Sequence, residues 1–133
     1  MRLFSAFEIS SSGLAAQRAR LDAIATNIAN AQSTRTAAGG PFQRKAVVFR
    51  EVLDELQPSG VVASEVLPDP TPGPRVYEPA HPDAGPDGYV QMPNVDVPEE
   101  MVDMISATRS YEANVSALTA AKRIALKALE IGQ

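Results

Sequence analysis

Cysteine and tryptophan are absent from this chain of 133 residues, and aromatic residues make up only 5% of it. Without cysteine there can be no disulfide, no thiol catalysis and no cysteine-based zinc site. The scarcity of aromatic rings argues against stacking platforms for bases and against cages for organic cations. Several kinds of binding site are therefore excluded by composition.

An excess of positive charge is lacking as well, because the formal net charge is -4 at pH 7. This balance disfavours nucleic acid as a partner. No apolar run approaches the roughly 18 residues that a membrane-spanning helix needs, so we expect no direct membrane insertion. The N-terminus does not resemble a cleavable secretory signal, because Glu8 and the serines at 10–12 interrupt any apolar core.

Residues that could carry chemistry are few. The single histidine, His81, lies near Asp83 and Asp87 in the sequence, but this set lacks the further ligands typical of a metal site. There is no nucleophile motif and no glycine loop for phosphate. We therefore expect a protein that is not an enzyme and that needs no cofactor and no metal.

Residues 98–131 contain no glycine and no proline after Pro98, and they predict a long amphipathic helix, about 50 Å in length. Pro98 suits the first helical position, and the carboxylates of Glu99, Glu100 and Asp103 are explained by the positive end of the helix dipole. Positions alternately three and four apart form a mainly apolar seam. Its members are Met101, Met104, Thr108, Tyr111, Val115, Leu118, Lys122, Ala125 and Leu129.

The first third of the chain repeats this pattern and predicts a second helix that ends near residues 30–33. Its seam comprises Leu3, Phe7, Ser10, Leu14, Gln17, Leu21, Ile24, Ile28 and Ala31. A capping box of Ser5 and Glu8 predicts one start, and the serines at 10–12 predict another. Gly13 indicates either that the helix begins just after it or that a neighbouring helix approaches closely.

The segment between the helices combines short strands with proline-rich loops. Residues 45–50 and 60–67 predict two strands, and residues 51–56 either continue the first strand or form a short helix. Nine of the eleven prolines fall within 68–98, which excludes a helix there. Residues 75–77 and 88–92 are candidates for short edge strands.

The sequence thus predicts a mainly α fold in which the long N- and C-terminal helices pair as an antiparallel coiled coil. A small proline-rich β/loop insert would project from the end where the helices meet. Two units follow, residues 1–33 together with 98–133 as the helical domain and residues 34–97 as the insert. Both helices expose many alanines, so we expect them to pack against further protein.

Two terminal stretches resemble a known family. Residues 12–31 resemble the N-terminal motif of bacterial flagellar rod and hook proteins, and residues 100–105 with 109–115 resemble the matching C-terminal motif. Residues 34–45 and 81–95 are similar to the proximal-rod members of that family. The resemblance covers nearly the whole chain.

The resemblance implies a structural subunit of the flagellar basal body that polymerises into the proximal rod, and this rod crosses the periplasm and transmits torque. It implies copies of itself and other rod proteins as partners, and type III export without a cleaved signal peptide by the flagellar export apparatus. The expected location is the periplasmic rod of the basal body. Two alternatives stay open: another axial subunit of the rod and hook family, or a non-flagellar helical adaptor.

Two sets of functional residues follow. The seams predict an assembly interface that comprises Leu14, Leu21, Ile24, Ile28, Met101, Met104, Tyr111, Val115, Leu118 and Leu129. The resemblance marks six further residues as family-motif positions, namely Gly13, Asn27, Asn30, Arg109, Glu112 and Asn114.

Overall fold

The protein consists of two long helices separated by two small antiparallel sheets. The computed structural model describes residues 2–54 and 57–131. Its elements in chain order are helix α1 (Arg2–Ala29), strands β1 (Lys45–Asp54), β2 (Gln57–Pro68), β3 (Arg75–Tyr77) and β4 (Tyr89–Gln91), and helix α2 (Val97–Ile131). Within the described ranges, no helix has the length and apolar character needed to cross a membrane.

Both helices form where the sequence predicts them. Helix α2 begins after Asp96, whose carboxylate accepts a hydrogen bond from the Glu99 amide at 3.3 Å as an N-cap does. Helix α1 already begins at Arg2, so the two predicted starts, at Ser5 and at residues 10–12, are both wrong. Gly13 consequently lies inside α1.

Strands β1 and β2 form an antiparallel hairpin, from Lys45 opposite Pro68 at its base to Asp54 opposite Gln57. Residues 51–54 continue the strand, while 55 and 56 lie outside the described residues. The register shifts twice, which increases the twist of the two strands. The shorter strands β3 and β4 pair at the predicted places.

The hairpin folds back along α1. The amide of Val61 in β2 donates a hydrogen bond to the Ser12 hydroxyl at 3.0 Å. Gly60 lies so close to Ser12 that a Cβ at this position would overlap the hydroxyl. The expectation that the insert projects from the end of the helices is therefore wrong for the hairpin.

The two helices contact each other and run antiparallel. A Cβ at Gly13 would lie 3.0 Å from the amide nitrogen of Asn114. Further along α1, Arg20 Nη2 lies 3.6 Å from a carboxylate oxygen of Asp103 in α2. This geometry confirms the reading of Gly13 as a point of close helix approach. Three alanines, Ala16, Ala23 and Ala107, lie buried in the helical layer together with Ile24.

The predicted fold class is wrong. Strands of 10 and 12 residues pack against α1, so the architecture combines helices with sheet and is not mainly α. The predicted coiled-coil seam of α2 coincides only in part with the face that α1 covers: Met104 and Leu118 are half-buried, whereas Met101 is 55% and Leu129 is 69% exposed. Close backbone approach selects small residues such as Ala107, and large side chains are left outside. The division into two units stays a prediction.

Candidate functional site: a buried polar junction

Asn27 is fully buried and connects three elements of the fold. Its amide nitrogen donates to the Glu100 carboxylate at 3.0 Å and to the backbone carbonyl of Lys45 at 3.0 Å. Its amide oxygen accepts a hydrogen bond from the Lys45 amide at 2.8 Å. Both donor hydrogens and the acceptor are thus used, and one side chain ties α1 to α2 and to the start of β1.

The carboxylate of Glu100 is 1% exposed and has a cationic partner. Arg44 Nε donates to its second oxygen, and Arg44 Nη2 lies 3.4 Å from Asp103. Burial by itself lowers the pKa of Arg44, but the hydrogen bond to Glu100 and the charges of Glu100 and Asp103 outweigh it. The pKa of Arg44 is therefore raised above its ordinary value, and the ion pair holds the guanidinium charged.

Asn94 extends the network to the base of the hairpin. Its oxygen accepts a hydrogen bond from the Arg44 amide at 2.7 Å, and its nitrogen donates to the Asp69 and Thr71 carbonyls at 3.1 Å and 2.8 Å. The Asp69 amide also donates to the Arg44 carbonyl at 2.7 Å. We call this network the polar junction; its members are Asn27, Arg44, Asn94, Glu100 and Asp103.

The polar junction is built for positioning and not for chemistry. Its carboxylates pair with guanidinium and amide donors. These donors compensate the buried negative charge, as in a structural network. Elsewhere, Asp87 pairs with Arg75, and His81 Nδ1 accepts a hydrogen bond from the Asp83 amide. In the part of the chain that the structure describes, no three His, Asp or Glu side chains are placed to hold a metal ion.

The loop that follows α1 is tied to the loop before β4 by Asp83. The Thr34 hydroxyl donates to its carboxylate at 2.8 Å, and Arg35 forms an ion pair with it. The hydrogen bond from Thr34 and the charge of Arg35 lower the pKa of Asp83, although burial acts in the opposite direction. A lowered pKa means that the ionised form is favoured by the folded state.

This contact should depend on pH. Its contribution to the stability of the fold is complete above the pKa of an ordinary aspartate, about 3.9. That contribution is lost as pH falls through the lowered pKa of Asp83. A carbon-detected NMR titration should therefore find Asp83 below the ordinary value. Thr34→Ala should move the pKa of Asp83 upward, whereas Thr36→Ala, in the same loop, should not. An ordinary pKa of Asp83 in the unmodified protein would contradict this assignment.

The predicted assembly residues fall into two groups. Six are buried or half-buried within the chain: Leu14, Leu21, Ile24, Ile28, Met104 and Leu118. Four are exposed on α2: Met101, Tyr111, Val115 and Leu129. One uniform seam therefore does not exist in the folded chain, and the two groups have different surroundings.

The family-motif positions are also divided. Gly13 meets Asn114 where the helices cross, and Asn27 lies at the centre of the polar junction. Asn30 bonds the Thr26 carbonyl at 2.8 Å and closes the end of α1. The remaining two, Arg109 and Glu112, are exposed on α2.

Sequence reasoning missed Arg44 and Asn94 and explained Glu100 as a dipole charge only. One signal for Glu100 was available, because Gly13 and Asn27 lie fourteen residues apart in α1, as do Glu100 and Asn114 in α2. Equal spacing in two antiparallel helices lets Gly13 meet Asn114 while Asn27 meets Glu100, and the structure has both contacts. No local pattern marks Arg44 or Asn94.

Comparison with known proteins identifies the family. The model described as "Flagella basal body rod protein" matches residues 7–35, and that described as "Flagellar basal body rod FlgEFG protein C-terminal" matches residues 87–131. A flagellar basal-body rod protein FlgC of Yersinia enterocolitica is 45% identical, over the full length of both chains. This chain belongs to the FlgC family of flagellar basal-body rod proteins. FlgC proteins of Salmonella typhimurium and Bacillus subtilis are 44% and 41% identical, again over the full length of each.

FlgC family membership confirms the expectation of a structural flagellar rod protein that is not an enzyme. It also implies a place in the basal body and assembly with other rod components. The polar junction joins the two regions that the family models match, since Asn27 lies in the first and Glu100 in the second. Arg44, which lies in neither region, links both to the hairpin.

Proposed function

We propose that this protein is a structural subunit of the proximal rod of the bacterial flagellum, in which it polymerises with copies of itself and with other rod proteins. The rod crosses the periplasm and transmits torque. The observation that carries the proposal is the similarity to FlgC proteins over the whole length of both chains.

We also propose that the flagellar type III export apparatus delivers the chain without removal of a signal peptide. Residues 2–29 form helix α1, and this helix contributes Asn27 to the polar junction. The N-terminal residues are thus part of the folded unit. A mature protein in purified basal bodies that lacks these residues would contradict the proposal.

An exposed apolar stripe on α2 supports a role in assembly. We call it the outer stripe; its members are Met101, Ile105, Tyr111, Val115, Leu126 and Leu129, which are between 36% and 69% exposed. They fall within about 120° of the helix circumference. A long apolar stripe in water favours contact with another protein. Helix α1, in contrast, contacts both α2 and the hairpin.

The two groups of predicted assembly residues receive different roles in this proposal. The four exposed residues of α2 contact other subunits. The six buried or half-buried residues hold the helices and hairpin of one chain together, and so support assembly through the fold. A charge at Ile24, which is 4% exposed, would therefore destroy the subunit itself, whereas a charge on the outer stripe would leave the subunit folded.

A deletion strain tests the function directly. Deletion of the gene should abolish swimming and leave basal bodies without complete rods, and the unmodified gene should restore both. Electron microscopy of purified basal bodies provides the measurement. Intact swimming with complete rods in the deletion strain would contradict the proposal.

One substitution in the same strain tests the outer stripe. Val115→Asp places a carboxylate in an interface that excludes water, so we expect loss of swimming with export intact. Val115→Thr, which preserves the shape of the side chain, is the matched control and should retain swimming. Export is followed by the amount of protein outside the cytoplasm. Normal swimming of the Val115→Asp strain would exclude this residue from the interface.

A further inference from the structure

Four positions of α2, spaced seven residues apart, lie on the side of the helix that meets α1. Glu100 and Ala107 are buried, and Asn114 and Ala121 are half-buried. Seven residues make about two helical turns, so these side chains follow one another along a single line. The face of α2 that meets α1 therefore repeats itself at this interval, with small residues at Ala107 and Ala121.

Helix α1 meets this line at two points that define one register. A Cβ at Gly13 would lie 3.0 Å from Nδ2 of Asn114, and Asn27 donates to the Glu100 carboxylate at 3.0 Å. Fourteen residues separate the two points on each helix, so one alignment holds along the whole contact. We call this alignment the native register.

A second register, displaced by seven residues, is compatible with the small residues of the contact. Helix α1 has 28 residues and α2 has 35, so a displacement toward the C-terminal end of α2 costs almost no helix overlap. It would move α2 by about 10 Å and place Gly13 opposite Ala121 and Asn27 opposite Ala107. Close approach of the two backbones therefore does not choose between the registers.

The hairpin does not choose between them either. Among residues 2–54 and 57–131, strands β1 and β2 pack against α1, and neither of them contacts α2. The base of the hairpin is fixed to α1, because Asn27 bonds both the amide and the carbonyl of Lys45. Helix α2 could therefore slide along α1 while the hairpin and Arg44 stay in place.

The polar junction, in contrast, is complete in one register only. In the displaced register Asn27 would face the methyl group of Ala107, and Arg44 would lose the carboxylate of Glu100. A buried polar or charged group that loses its partner is strongly unfavourable. The displaced register therefore has a high free energy, and the reason is polar, not steric.

We propose that the polar junction is a register lock, which selects the native register of α2 on α1 against the register displaced by seven residues. Selection of register is the best-attested role of a polar group buried between helices. A displaced α2 would carry the outer stripe past α1 and the hairpin, so the two registers would present different surfaces. The inference concerns one chain and goes beyond the proposed function, which its failure would leave standing.

Pairs of introduced cysteines measure the register, because the chain has no cysteine of its own. Gly13→Cys with Asn114→Cys is the native pair: a Cβ at Gly13 would lie 3.5 Å from Asn114 Cγ, where a cysteine carries its sulfur. Gly13→Cys with Ala121→Cys is the displaced pair, which in the native register is separated by about 10 Å along α2 and is out of reach.

The quantity measured is the effective concentration of the two thiols in a glutathione redox buffer. Only disulfides within one chain are counted, and a non-reducing gel separates them from disulfides between chains. In the otherwise unmodified chain, the native pair should have an effective concentration at least about a hundredfold above that of the displaced pair.

Removal of both charges of the central ion pair should release the lock. Arg44→Met combined with Glu100→Met leaves no buried charge unpaired between them, so the chain should fold, which circular dichroism checks. In this background the displaced pair should gain at least about tenfold on the native pair. Arg75→Met combined with Asp87→Met removes an exposed ion pair away from the helices and is the matched control. It should leave the ratio unchanged.

Glu100→Leu is a second variant that leaves Arg44 paired with Asp103, and it should also raise the displaced pair. Comparable effective concentrations of the two pairs in the unmodified chain would overturn the register lock. An unchanged ratio in the folded variants that lack Glu100 would do the same. Loss of helical structure in both variants would also overturn it, because the fold would then depend on the polar junction in any register.

Discussion

Replacement of Asn27 by Ala should lower the free energy of unfolding by about 3–5 kcal/mol, because one buried and two half-buried hydrogen bonds are lost at once. The amide and carbonyl of Lys45 would lose Asn27 as their partner, and the carboxylate of Glu100 would keep its bond from Arg44 but lose the one from Asn27. Each unsatisfied group costs about 1–3 kcal/mol. A loss of this size is a large part of the total stability of a small domain, about 5–15 kcal/mol.

Urea denaturation followed by circular dichroism measures this effect, with the slope of the transition checked for change. Asn30→Ala is the matched control: the same residue type, three positions further, donates to the Thr26 carbonyl, accepts a hydrogen bond from the Ser33 hydroxyl and is only half-buried. Its removal should cost about 1 kcal/mol. Equal losses for both variants would show that Asn27 has no special role in the polar junction.

Replacement of Arg44 by Met should be similarly severe, at about 3–5 kcal/mol, because it leaves the carboxylate of Glu100 buried without its cation. Among the described residues, the side-chain donor that remains to Glu100 is the amide of Asn27, beside the positive end of the α2 dipole. Asp103 would lose the closer of its two guanidinium partners as well. The loss of stability arises because the buried charge of Glu100 is left unpaired. It therefore exceeds the net contribution of the ion pair to stability.

A double-mutant cycle separates the cost of an unpaired buried carboxylate from the net contribution of the Arg44–Glu100 ion pair. Glu100→Gln removes the charge and keeps the shape, so Arg44→Met combined with Glu100→Gln should be more stable than Arg44→Met alone. The control is Arg35→Met, because Arg35 is 73% exposed and its ion pair with Asp83 should contribute at most about 1 kcal/mol. If Glu100→Gln restores no stability to Arg44→Met, the unpaired charge of Glu100 is not the cause of the destabilisation.

Much of the secondary structure could be predicted from local patterns. Uninterrupted helical periodicity and marked ends predicted a helix at 98–131, and the structure has it at Val97–Ile131. Clusters of β-branched residues predicted β1 and β2, which extend a few residues further than expected. Such patterns act over a few neighbouring residues, and for that reason they are visible in one sequence.

The buried face of α2 could not be predicted in the same way. Apolar spacing selected Met101, Tyr111 and Leu129, because large side chains give the strongest periodic signal. In the folded chain α1 approaches through Gly13 and small alanines, and it covers Ala107 in place of those residues. Which face is buried depends on the shape of the neighbour, and the sequence of one helix does not contain that shape.

The sequence by itself determined the two helices, the hairpin strands and, through its terminal motifs, the resemblance to flagellar rod proteins. Only the tertiary structure decided how these parts are fixed together. Asn27 and Glu100 lie 73 residues apart and meet only because α1 and α2 run antiparallel. A glutamate in the first turn of a helix stabilises the dipole in any fold. Glu100 connects α2 to the rest of the fold only because the folded chain buries its carboxylate and places Arg44 against the oxygen that Asn27 does not contact.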